Sequence, residues 1–330
     1  MPGLLAVHLS ALCVAASLAG RPAVSPVVRD ELPVPAAAVA RLERSLRDMR
    51  ELRSDRFVLV TDVSEGDAQR VLSTLERTAD AVERFATDMD VAPRELRERI
   101  VAVGFADRVR FERFARVVDS IDASWMSGYW LPGADRVAFR LGTPEDRPAH
   151  RRRGVLASAS AANDATVAHE LAHQLLHRLG VQRRSGNAPL WLSEGLAIAF
   201  ETCGVDGGTA FDAQPERSER VRAQLDAGTS YAMSSFVATA RLPARTSERV
   251  DAFYDQAWSL ARYLVRERHD AMAAYLAGVR DGAGNLGPRV NLDLFERTFG
   301  PIDEVERAWR ESVASTEAVE PPTVTRSRSP

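Results

Sequence analysis

The apolar positions of the chain change period part-way along it. Before about residue 142, short apolar runs alternate with stretches of helical spacing, and beyond residue 165 the helical period dominates. "RFVLVTD", Arg56 to Asp62, is a compact apolar run that predicts a strand. The segment after it carries Val71, Leu72, Leu75, Ala79, Val82 and Phe85 at helical spacing, behind Ser64 as a capping residue. The pair recurs as a strand from Arg99, "RIVAVGFAD", and a helix over "RVRFERFARVV". Two further apolar runs between Trp125 and Gly142 flank Pro132-Gly133, which predicts a hairpin.

Residues 21–40, rich in Pro, Ala and Val without a period, read as a linker into a first helix around Ala37 to Arg53. Thr143 to Asp164 is polar and loop-like, and from Ala165 onward the pattern is mainly helical, with a last helix ending near Ser315. The expected class is α+β, with a small sheet-containing N-terminal lobe over residues 56–160 packed on a mainly helical C-terminal lobe over residues 161–315. Residues 316–330 have the composition of a disordered tail.

With 330 residues, 45% of them hydrophobic, the chain can bury a substantial core. A net charge of −3 supplies no basic field, so neither nucleic acid nor an anionic lipid surface is an expected partner. All 43 basic residues are arginines, which excludes Schiff-base and P-loop lysine chemistry. The run from Leu4 to Gly20 is uncharged and apolar apart from His8, and "SLA" at Ser17 to Ala19 suits cleavage, so residues 1–19 read as a signal peptide and the protein as exported. Membrane contact is expected only if that segment stays attached. Cleavage leaves Cys203 as the one cysteine, so no disulfide and no disulfide-linked partner is expected.

The candidate chemistry lies in "TVAHELAHQLLHRLG" and "PLWLSEGLAIAFE". Helical positions four apart differ by about 40° in azimuth, so His169 and His173 project from one face and can share an ion. Glu170 stands about 100° around from His169, placed to act on a metal-bound water. Val167, Leu171, Ala172, Leu175 and Leu176 make the rest of that helix apolar, and buried ionisable groups are costly unless paired or metal-bound. For the motif alone, the alternative is a surface helix with a polar stripe. Catalytic zinc takes three protein ligands, and Glu194, set among Trp191, Leu192, Leu196 and Ile198, is the candidate third. His177, one turn further on, is too far along the axis to join the same ion.

"HELAH" followed at this distance by "WLSEG" resembles the gluzincin metallopeptidases, the thermolysin and aminopeptidase N relatives. The resemblance implies one zinc ion held by His169, His173 and Glu194, with Glu170 as catalytic base and a peptide or protein substrate. "FYDQAWSLARYL" is similar to the aminopeptidase helix whose tyrosine assists the reaction, which implies a catalytic role for Tyr254, although Gln256-Ala257 stands where that family has Lys-Gly. From about Arg56 to Ser315 the chain also resembles a group of exported bacterial proteins with a peptidase domain and largely unassigned substrates.

No Gly-x-Met-Glu-Asn-like segment is present, so the resemblance implies an endopeptidase before an aminopeptidase. Ile198 occupies the position where thermolysin relatives carry an aspartate behind a histidine ligand, leaving that partner to come from elsewhere. "RVAFRLG", Arg136 to Gly142, is expected as the edge strand that holds an extended peptide. The second expectation is a cell-envelope binding or scaffold protein that keeps zinc as a folding staple. Glu170 and Tyr254 favour the enzyme, since a structural site needs neither a base nor an open coordination position.

Overall fold

A computed structural model describes residues 32–35, 42, 46, 48–142, 159–182, 189–204, 208–239, 248–282 and 287–315. The apolar run at Leu4 to Gly20 and residues 316–330 lie outside them. Five strands, β1 (Arg50–Arg53), β2 (Phe57–Thr61), β3 (Ile100–Phe105), β4 (Gly128–Leu131) and β5 (Arg136–Arg140), form one sheet in the order β1-β2-β3-β5-β4. β2, β3 and β5 run parallel, and β1 and β4 flank them antiparallel. Every residue of the three inner strands is buried, as strands covered on both faces require, including Arg136 and Arg140 at the ends of β5.

Two expectations change here. The helix expected as far as Arg53 gives way to β1, where Arg50 to Arg53 pair with Thr61 to Val58 of β2. Ladder bonds along an otherwise open strand edge outweigh the helical preference of "RELR". Arg136 to Arg140 is not the edge of the sheet: it lies between β3 and β4, and the outer strand on that side is β4.

Helix α1 (Glu65–Asp88) is capped by the Ser64 side chain, which accepts from the Asp67 N–H, and lays Val71, Leu75, Val82 and Phe85 into the core. α2 (Arg108–Val118) covers the opposite face of the sheet, where Phe111 and Phe114 join Val58, Val101 and Phe105 in a smaller cluster. The α1 side is shared with α3 (Ala159–Arg178), which carries the histidines. α3 starts earlier than the polar pattern suggested, because tertiary partners satisfy its first turns. Asn163 bonds both backbone groups of Gly142 at 3.3 and 3.4 Å, and Asp164 pairs with Arg70 at 3.2 Å.

α4 (Leu190–Ala199) and a 3-10 turn (Glu201–Gly204) follow, then α5 (Pro215–Asp226), α6 (Met233–Ala238), α7 (Glu248–Glu267), α8 (His269–Arg280), α9 (Pro288–Phe299) and α10 (Ile302–Ser315). The fold class is therefore α+β, with a small mixed sheet in the N-terminal part and helices in the C-terminal part. One hydrophobic core runs without a break from Phe57 and Leu59, through α1 and α3, to Trp191, Trp258 and Trp309. Cys203 is packed in it, and burial pushes its thiol up to about 12, out of the range of thiolate chemistry. Among the described residues no helix is long and apolar enough to cross a membrane.

Candidate metal centre

α3 is buried on most of its circumference, yet it carries His169, Glu170 and His173, which are 3%, 5% and 8% exposed. The two imidazoles are one turn apart with their Nε2 atoms 3.2 Å from each other. Glu194, in the first turn of α4, brings Oε2 to 3.5 Å from Nε2 of His169 and 3.7 Å from that of His173. Three donor atoms thus form a triangle with edges of 3.2, 3.5 and 3.7 Å. A tetrahedral ion with bonds of about 2.0–2.1 Å spaces its ligands by about 3.3–3.4 Å. The donor set and its dimensions fit zinc. His169, Glu170 and His173 also offer ligand atoms within 4.8 Å of one another, so Glu170 lies beside the same space as the donor triangle.

The outward nitrogens are also engaged. His169 Nδ1 lies 3.0 Å from Oε1 of Glu201, and His173 Nδ1 lies 3.3 Å from the Ser193 hydroxyl. Such bonds fix ring orientation and turn the two Nε2 atoms toward each other and Glu194. Glu201 supplies the carboxylate that the sequence lacked four residues after Glu194. It comes from seven residues downstream because the 3-10 turn folds back on α3. That turn approaches closely enough that a Cβ on Gly204 would stand 2.5 Å from the Asp164 carbonyl oxygen.

Three carboxylates around two imidazoles make a site that attracts a cation. Burial alone lowers the basicity of His169, but its bonds to Glu194 and Glu201 and the charge of Glu170 outweigh that and raise it to about 9. Burial likewise acts to raise Glu194, and the attraction of His173 and His169 prevails, holding this carboxyl well below the usual range.

Two glycines set the walls. Gly128 of β4 abuts Glu170, since a Cβ there would lie 2.8 Å from Glu170 Cγ. The β4–β5 turn is anchored to α3 by Gln174, which donates to the Asp135 carbonyl at 2.5 Å, and by the Arg178–Asp135 ion pair at 3.0 Å. Gly195, directly after Glu194, lies so close to α7 that a Cβ would stand 2.3 Å from the Ala257 carbonyl oxygen.

Tyr254 sits on α7, three residues before that contact and on the same side of the helix, half-buried with its ring edge-on to Phe253 at 6.4 Å. The structure thus brings His169, Glu170, His173 and Glu194 into one cluster and sets Tyr254 on the helix packed against α4. His177 is apart from the cluster, buried under the Trp130 ring at 4.5 Å.

A family described as "Protein of unknown function (DUF1570)" matches residues 163–281, a span that begins in α3 and includes every residue of the cluster. No curated protein matches the chain. The family carries no assigned activity, so the chemistry rests on the geometry.

Proposed function

We propose that this protein is an exported zinc-dependent metallopeptidase of the gluzincin kind, with His169, His173 and Glu194 as ligands and Glu170 as general base. The observation that carries the reading is the zinc-sized triangle of donor atoms with a fourth ionisable group, Glu170, beside it. Bound zinc supplies Lewis acidity and lowers the pKa of a coordinated water. Glu170 then accepts a proton from the attacking water and returns it to the departing amine, so the carboxylate ends the cycle as it began. The Tyr254 hydroxyl donates to the carbonyl oxygen as charge develops there.

β4 holds an extended peptide by strand addition, replacing Arg136 to Gly142 in that role, because β4 is the outer strand and Gly128 brings its backbone against the base. A strand grip on the peptide backbone asks for no free terminus, which favours an endopeptidase.

The test is a peptide library incubated with zinc-loaded protein and read by mass spectrometry. The wild type should give defined internal cleavages. Glu170→Gln should keep about one zinc per chain and lose rate by on the order of 10² to 10⁴-fold. Equal cleavage by this variant removes Glu170 from the mechanism, and a wild type that takes up no zinc removes the whole reading.

A further inference from the structure

We infer that Arg217 is a positioning residue for the metal centre, acting through Glu201 and tying the histidine helix to α7. Arg217 lies on α5, contacts none of the proposed ligands, and has a side chain only 12% exposed. Its guanidinium is divided among three acceptors. Nη2 reaches Glu201 Oε2 at 3.2 Å, Nη1 reaches Asp255 Oδ1 at 3.0 Å, and Nε donates to Gln214 Oε1 at 2.8 Å. Glu201 turns its other oxygen to His169 Nδ1. Asp255, with its side chain 3% exposed, follows Tyr254 in sequence. One guanidinium therefore holds both the carboxylate that orients a ligand imidazole and the helix that carries the proposed oxyanion donor.

A long glutamate side chain on a 3-10 turn has several rotamers, and only one meets His169 Nδ1. The fork of Arg217 selects that one by occupying the opposite oxygen, and Asp255 and Gln214 fix the fork. Partners of this kind, one bond removed from a ligand, affect metal affinity by about 10–100-fold.

A second arginine separates this role from support of the fold. Arg220 binds the same Asp255 carboxylate, with Nε and Nη2 each at 2.8 Å, and its Nη1 donates to the Glu216 carbonyl on its own helix. Loss of either arginine removes a partner of Asp255, whereas loss of Arg217 also removes a bond to the oxygen of Glu201 opposite His169.

The inference rests on the zinc reading, and the test distinguishes the two. Zinc dissociation constants are measured by chelator competition on the full chain for wild type, Arg217→Met and Arg220→Met, together with urea unfolding of the metal-free proteins. Arg217→Met should weaken zinc by on the order of 10-fold or more. Arg220→Met should lose comparable stability and keep the wild-type affinity. If Arg217→Met does not fold, Arg217→Lys, which cannot span Glu201 and Asp255 at once, replaces it with the same expected direction. Equal zinc affinity in the arginine variants overturns the inference and leaves the metal reading standing. A wild type without zinc overturns both.

Discussion

Gly195→Ala sets two effects of opposite sign against each other. Gly195 is inside α4, where alanine ordinarily stabilises a helix by about 0.5–1 kcal/mol relative to glycine. Against this, the new Cβ would lie 2.3 Å from the oxygen and 2.8 Å from the carbon of the Ala257 carbonyl, and 3.0 Å from Ala261 Cβ. Ordinary contacts begin near 3.5 Å, so α4 and α7 must part by about 1 Å. The nearest atoms are backbone in the middle of a buried helix and cannot rotate aside. Overpacking of this kind costs about 1–3 kcal/mol and exceeds the gain in helix propensity.

The expected outcome is therefore a net loss of about 1–2 kcal/mol, read by urea unfolding of metal-free protein. Because Glu194 precedes Gly195, the same shift spoils the donor triangle, and zinc affinity should fall as well. A variant as stable as the wild type, or more stable, would refute the close approach of the two helices.

Gly128→Ala should leave zinc content intact and lower kcat by about 10²-fold, because its Cβ displaces the base by the order of an ångström. Metal analysis and steady-state kinetics on a cleaved library peptide check it, and an unchanged kcat contradicts the placement of β4 against Glu170. Tyr254→Phe should keep zinc and thermal stability while lowering kcat by roughly 10² to 10³-fold, the scale for one oxyanion donor. A variant that loses stability with kcat intact would make Tyr254 structural.

Where period and local chemistry decide the conformation, the elements could be read from the sequence. The apolar run of β2, the Ser64-capped helix and the hairpin around Pro132-Gly133 all appear in the structure. The one-turn spacing of His169 and His173 follows the same logic, since the helical repeat fixes it. Features that depend on distant partners were not legible. Arg50 to Arg53 become a strand because β2 offers an open edge, and Asn163 and Asp164 become helical because Gly142 and Arg70 satisfy them.

Glu201 was missed for the same reason. A glutamate ending an apolar helix gives no sign that the next turn will fold back onto a histidine. "YDQAW", noted for its tyrosine, proves to hold three packing devices. Asp255 pairs with two arginines, Gln256 clamps both backbone groups of Tyr231, and Ala257 admits Gly195.

The unbroken core between sheet and helices makes the unit of folding larger than the segment that the family description matches. The family match begins at Asn163, partway into α3, and stops at Asp281, just past α8. A fragment cut at those limits would strip α1 and the sheet from α3 and expose Val167, Leu171, Leu175 and Leu176, all fully buried in the whole chain. It would also discard Trp309, fully buried in the same core. The matched segment is thus part of a larger packing unit and draws its stability from flanks that the match does not reach. What holds His169, His173 and Glu194 in place therefore lies partly outside the matched span, in the sheet, α1 and α10.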